Sequence, residues 1–243
     1  MQELKKDMVL IEKKNDVMSI QLNYPEIRNG MNWQMMKCIT DAYELAQNSE
    51  EIKVIVIMGS GGFFNTGGVV NRDDPEEKAK YNEELARMCE TRDKLELPVI
   101  AAVNGECSAG GMMQLAAADL AVALDSAMFG FPEAKHGSFP MLVMVPTISV
   151  MSRKKALESF YTGELFDAYE AERMGFLNKV TSEADFWPAI QYYIDKITAM
   201  DKEIMRIGRR TFKQMINLPE SMRNECGMKS LKEIWDCLAR NKA

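Results

Sequence analysis

The sequence predicts an α/β fold that ends in a helical tail. Three observations predict it. β-Type apolar runs alternate with segments of helical spacing. Two of those runs end in glycine-centred corners, each placed where a helix can begin. From Trp187-Pro188 onward the chain reads as helix almost throughout, to Leu238.

Taken in order, Met8 to Leu22 alternates and stops at Asn23-Tyr24-Pro25, the pattern of a hairpin followed by a turn. Asn32 is placed to cap a helix through Trp33, Met36, Ile39, Tyr43, Leu45 and Ala46, an apolar three-and-four spacing. Val54 to Met58 is a strand. Asn71 to Glu77, polar and containing Pro75, is a loop, and Glu76 to Leu95 carries helical spacing through Leu85, Met88 and Leu95. Val99 to Val103 is a second strand, followed by an apolar helix over Met112 to Ala118 and a strand over Leu120 to Leu124. Pro140 to Met151 is apolar throughout, which predicts a buried helix or loop. Lys154 to Tyr161 and Ala168 to Met174 are helices, the second stopped by Gly175. We divide the chain into a core over 1-187 and a helical region over 188-243. The stripe Ile204, Ile207, Phe212 and Met215 in that region needs a partner surface, either the same core or another subunit.

Composition narrows the function classes. The chain has 243 residues, enough for a sizeable core. Hydrophobic residues make up 47% and charged residues 27%, an ordinary globular balance. A net charge of −6 argues against binding a phosphate backbone, so no nucleic-acid partner is expected. No apolar run approaches the ~20 residues that span a bilayer, and Met1 to Asp7 has no signal-peptide character, so no membrane partner is expected either. Five scattered cysteines form no CxxC pair, which fits reduced thiols in the cytoplasm. With one histidine, His136, neither a zinc site nor a Ser-His-Asp triad has support, and no metal is expected.

The glycine corners carry the chemistry. The first is Phe63-Phe64-Asn65-Thr66-Gly67-Gly68 and the second is Asn104-Gly105-Glu106-Cys107-Ser108-Ala109-Gly110-Gly111. Glycine lets a backbone N–H approach a ligand closely, and a helix start adds a favourable dipole. Two such N–H groups converging on one oxygen make an oxyanion hole. Taken singly, each corner is more often only a corner.

Together the motifs resemble the crotonase (enoyl-CoA hydratase/isomerase) superfamily. Leu22-Asn23-Tyr24-Pro25 with Asn29-Gly30-Met31 resembles the family's early CoA-binding loop, and the two corners resemble its oxyanion turns. Ala127 to Glu133 resembles the strand and loop that bear a catalytic glutamate, and Thr162-Gly163-Glu164 to Gly175-Phe176 resembles the downstream signature. The resemblance implies a spiral of ββα units assembled into homotrimers or hexamers, with the helical region in or near the subunit contacts. It implies an acyl-CoA substrate in fatty acid metabolism, with no cofactor beyond the coenzyme A of the substrate. Gly68 and Gly110 would hold the thioester oxygen and Glu133 would move protons. Arg28, Asn29, Gly30, Thr66, Gly67, Val69, Met113, Pro140 and Leu142 would bind substrate.

Departures from the family pattern sharpen this expectation. The first of two hydratase glutamates falls at Met113, which cannot carry a proton, whereas the second is present as Glu133. That pattern is similar to Δ3,Δ2-enoyl-CoA isomerases. The first turn, usually continuing Gly-Ala-Asp, here reads Gly67-Gly68-Val69, and the glycine-rich stretch after the active-site proline is replaced by Met141 to Val145. Two alternatives remain: a crotonase-like decarboxylase, hydratase or lyase acting on a CoA or acyl-carrier-protein thioester, and a non-catalytic acyl-CoA-binding scaffold. Arg28, and more weakly Lys213, are candidate phosphate ligands.

Overall fold

A computed structural model describes residues 7–240. The opening hairpin pairs β1 (Val9–Lys14) antiparallel with β2 (Val17–Leu22), turning at Asn15 with φ 52°. Asn32 caps α1 (Trp33–Asn48), its side chain accepting from the Met35 N–H at 2.9 Å. Strand β3 (Val54–Gly59) leads to β4 (Phe63–Asn65) and α2 (Pro75–Lys94), where Asp74 caps the helix and Pro75 takes its first position. The same order repeats in β5 (Val99–Val103), β6 (Glu106–Ser108) and α3 (Gly110–Ala117). It begins again in β7 (Leu120–Leu124) and β8 (Met128–Gly130), followed by a 3₁₀ turn over Pro132–His136.

Each turn of this spiral gives one strand to each of two sheets. The larger sheet runs β1-β2-β3-β5-β7-β10, with β10 at Lys179–Thr181, and is parallel from β2 onward. The smaller runs β4-β6-β8-β9, with β9 at Leu165–Asp167 antiparallel to β8. Three-residue strands are too short to show a period in sequence, which is why β4, β6 and β9 escape a reading of the sequence and β8 is reached only through the family resemblance.

Both faces of the larger sheet are covered, as a parallel sheet requires. Ile55, Ile57, Val99, Ala101 and Val103 join the main core with α1 and α3. Val54, Val56, Ile100 and Ala102 face the other way, against Phe186, Ala189 and Ile190 of α7 (Glu183–Thr198). That helix starts at Glu183, capped by Ser182, and carries Pro188 inside it. Proline removes one internal hydrogen bond, and here the cap and the apolar face on the sheet hold the helix through it. The division expected at 187/188 therefore falls within a helix that packs on the core.

The segment after Pro140 departs from the sequence reading. It forms α4 (Met144–Thr147), yet Met141 is 65% exposed, and Leu142, Val145 and Ile148 are exposed as well. Thr147 and Val143 alone of its apolar-flanked stretch 141–148 point inward as buried residues. Helices α5 (Arg153–Thr162) and α6 (Ala168–Met174) follow, α6 ending at Gly175 with φ 97°. The tail is α8 (Lys202–Ile216) and α9 (Glu220–Arg240), packed on each other through Thr211 and Ser230, whose hydroxyls bond at 2.7 Å. Phe212, Met222, Met228 and Trp235 remain exposed on this pair.

Candidate active site

The two glycine corners abut. Gly67 has φ 105°, a conformation that L side chains rarely adopt, and a Cβ there would stand 2.8 Å from the Ala109 Cβ and 3.2 Å from the Gly110 nitrogen. A Cβ on Gly110 would lie 3.2 Å from the Gly67 Cα and 3.6 Å from the Gly68 nitrogen. Only bare backbone allows this approach.

Hydrogen bonding aims both N–H groups. The Met31 N–H donates to the Gly67 carbonyl at 2.7 Å, and the Val69 N–H donates to the Met31 carbonyl at 2.8 Å. Successive N–H groups of extended backbone point to opposite sides, so the Gly68 N–H faces away from Met31. The Ala109 N–H donates to the Gly130 carbonyl at 3.0 Å, and Gly110 opens α3, where the first N–H groups have no partner inside the helix. Neither the Gly68 nor the Gly110 N–H has an acceptor among the described residues. Ala109, at φ 49° and ψ −121°, holds a strained backbone of the kind that costs about 1–3 kcal/mol.

A cleft of about 950 Å³ lies over these groups. It is lined by Gly68, Gly110 and Glu133, and by apolar side chains including Met36, Leu85, Met113, Phe139 and Leu142. Glu133 stands on the 3₁₀ turn, and one of its carboxylate oxygens is buried with no hydrogen-bond partner. Burial pushes its pKa above the ordinary carboxylate value, with its own backbone N–H and the nearby His136 pulling the other way. A buried, unpartnered carboxylate in a cleft is the expected environment of a proton carrier. Met113 is 3% exposed and brings only a thioether to the same wall.

Of the residues expected to bind substrate, Arg28, Thr66, Pro140 and Leu142 also line the cleft, whereas Asn29, Gly30, Gly67 and Val69 do not. The Asn29 side chain is buried and serves the loop: it accepts from the Tyr24 N–H at 2.8 Å and donates to the Ser60 and Phe63 carbonyls at 2.9 and 2.7 Å. Two phosphate candidates have other partners. Arg28 pairs with the Glu106 carboxylate and lies over the Phe63 ring. Lys213 donates to the Arg92, Asp93 and Leu95 carbonyls, so it caps the C-terminus of α2. Sequence reading missed three residues of this region. Asn65 and Gln114 form a buried amide pair, and Tyr81 lines the cleft. No spacing marks a tyrosine on a largely exposed helix.

The fold and the two abutting glycine corners are of the crotonase type. The family model described as "Enoyl-CoA hydratase/isomerase" matches residues 12–234, and the chain belongs to that family. It is 29% identical over 215 residues to mouse (Mus musculus) "Enoyl-CoA hydratase domain-containing protein 3, mitochondrial", covering 87% of this chain and 71% of that protein. It is 29% identical over 213 residues to a probable enoyl-CoA hydratase of Mycobacterium leprae, covering 85% of this chain and 81% of that one. The crystal structure of the human enoyl coenzyme A hydratase domain-containing protein 3 superposes with a TM-score of 0.87 at 26% identity, over 93% of this chain and 91% of that one.

Proposed function

We propose that the protein is an enoyl-CoA isomerase that moves a 3-enoyl-CoA double bond to the 2-position. The observation that carries this reading is the unpaired carboxylate: of the two glutamates lining the cleft, Glu106 is held by Arg28 and Ser108, whereas Glu133 has a buried oxygen without a partner, and Met113 occupies the place of a second acid. The thioester oxygen sits between the Gly68 and Gly110 N–H groups. Glu133 takes a proton from C2, and the electrons of that C–H bond form a C1=C2 double bond while the carbonyl pair moves onto oxygen, giving a dienolate conjugated with C3=C4. The same carboxyl returns the proton to C4, giving the conjugated 2-enoyl thioester. The two donors bind the dienolate oxygen more strongly than the carbonyl oxygen of the ground state, which is how they lower the barrier. No water takes part. The apolar wall of Met36, Leu85, Phe139 and Leu142 suits a hydrocarbon acyl chain.

The assembly we propose is a homotrimer or hexamer in which the region 188–243 contributes contacts, supported by the exposed Phe212, Met228 and Trp235. A monomer in light scattering at micromolar concentration overturns it. The unpaired cysteines suit a reducing compartment, the cytoplasm in our reading, although the mouse relative is mitochondrial by name. The decisive assay offers 3-hexenoyl-CoA and crotonyl-CoA side by side. Isomerisation with weak hydration supports the proposal. Efficient hydration with negligible isomerisation overturns it in favour of a hydratase, the activity in the M. leprae relative's name. Inactivity on both turns the reading to a decarboxylase or a non-catalytic binder.

A further inference from the structure

We infer that the Tyr81 hydroxyl donates a third hydrogen bond to the thioester oxygen, using space left open by glycine at position 68. The inference rests on the reading of Gly68 as an oxyanion donor and adds a residue to it.

Position 68 is where the chain departs from the Gly-Ala-Asp run usual in the family, having Gly67-Gly68-Val69. The structure shows what occupies the place of the missing methyl. A Cβ built on Gly68 would clash with the Tyr81 hydroxyl oxygen and fall 2.8 Å from Cζ and 3.3 Å from Cε2 of the same ring. The phenol therefore approaches end-on, oxygen foremost, against the residue whose N–H faces the cleft. An alanine at 68 and this rotamer of Tyr81 exclude one another.

Tyr81 is the only aromatic residue of α2, whose sequence is otherwise dominated by charged side chains. Its ring packs against the edge of the main core, and its hydroxyl opens into the cleft. That hydroxyl has no hydrogen-bond partner among the described residues, so it holds nothing in place. Burial raises its pKa, which keeps it protonated at neutral pH. It is a donor with an open bond, beside the site where negative charge develops. No proton changes hands: the phenol only strengthens a hydrogen bond as the oxygen becomes charged, and such charge-assisted bonds are the strong ones.

The test is Tyr81→Phe, which removes one oxygen and no protein contact. Acetoacetyl-CoA, which binds as its enolate, and butyryl-CoA, which stays neutral, are the probes. We expect the variant to bind acetoacetyl-CoA about tenfold more weakly, with butyryl-CoA affinity and thermal unfolding nearly unchanged. With 3-hexenoyl-CoA, kcat should fall about 10- to 100-fold while KM moves little. Gly68→Ala should reproduce these losses by displacing the phenol, and the double variant should lose no more than either single one. Undiminished enolate preference in Tyr81→Phe overturns the inference, as does full additivity of the two substitutions. If the unmodified protein prefers the enolate through Tyr81 but does not isomerise 3-hexenoyl-CoA, the isomerase reading fails and the role of Tyr81 stands. Failure of the unmodified protein to bind either probe overturns both.

Discussion

The Asn65 side-chain amide donates to the Gln114 side-chain oxygen at 2.7 Å, and the same Asn65 accepts from the Gly67 N–H at 2.8 Å. Both side chains are buried. One amide pair thus ties the first glycine corner to the helix that begins at the second. Gln114 continues the chain of contacts to the Met31 sulfur, and Met31 braces Gly67 and Val69.

Gln114→Leu breaks this tie and leaves a buried Asn65 donor unpaired. It should cost about 1–3 kcal/mol of stability, the usual consequence of an orphaned buried group. Because Asn65, which holds the Gly67 N–H, loses its anchor, kcat should fall more than KM rises. Chemical denaturation and steady-state kinetics on 3-hexenoyl-CoA measure the two effects. Unchanged kcat in a folded variant refutes the bracing role.

Glu133→Gln keeps the shape and removes the base, so isomerisation should fall about 10²–10⁴-fold. In the unmodified protein the acidic limb of kcat/KM should lie above the ordinary carboxylate value of about 4.3, because burial favours the protonated form. The sign for stability is opposite to that of a salt-bridged acid. A raised folded pKa gives stability that is present at low pH and lost as pH rises through that pKa. Glu133→Gln should therefore be more stable than the unmodified protein at neutral pH, with the difference vanishing below pH ~4. Denaturation curves at pH 4 and pH 7 check it.

Met113→Glu adds an unpaired carboxyl to the cleft wall beside Glu133. Hydration of crotonyl-CoA should rise relative to isomerisation of 3-hexenoyl-CoA, since a second acid can hold and orient a water. The buried position makes the change destabilising, and two facing carboxyls should raise one another's pKa. An unchanged product ratio in a folded variant would show that Met113 does not set the reaction.

Lys213 gives a prediction at alkaline pH. Its pKa is lowered to about 8, chiefly by burial and then by Arg209. Between pH 8 and the ordinary lysine value of about 10.4, the unfolded chain binds the proton and the folded one does not. Stability from this group therefore rises with pH across that window. Lys213→Met should abolish the rise, and the stability difference between the two proteins should grow in favour of the unmodified one from pH 8 to 10. A constant difference over this range refutes the assignment.

Much of this molecule was legible in its sequence because long elements carry a period. The strands Val54–Gly59, Val99–Val103 and Leu120–Leu124 and the cap at Asn32 lie where alternation and capping chemistry put them. The second sheet was not legible from periodicity, since three residues hold no period, and only its strand at Met128–Gly130 was reached, through motif resemblance. Pro140 to Met151 misled because an apolar run says nothing of which side is covered, and here several of its side chains are exposed. At the site, Gly68, Gly110 and Glu133 could be named from motif order. Tyr81 could not, because its meaning depends on a helix crossing back over the first corner. Arg28 could be named, but its Glu106 partner stands 78 positions away in the chain.

The spiral itself has a consequence for how such an enzyme changes its chemistry. The Gly68 and Gly110 amides at the cleft belong to consecutive coils of one superhelix, β3–β4 and β5–β6, so their separation is a matter of coil pitch. Pitch is fixed by backbone pairing between neighbouring strands, such as Ile55 with Val99 and Phe63 with Glu106, and not by the side chains that project into the cleft. Side chains around the rim can be exchanged while the spacing of the amides stays put, in the way that lenses are changed in front of a fixed aperture. In the proposed reaction, methionine at 113 is such an exchange: it would alter which protons can be moved and leave untouched the frame that would hold the oxygen.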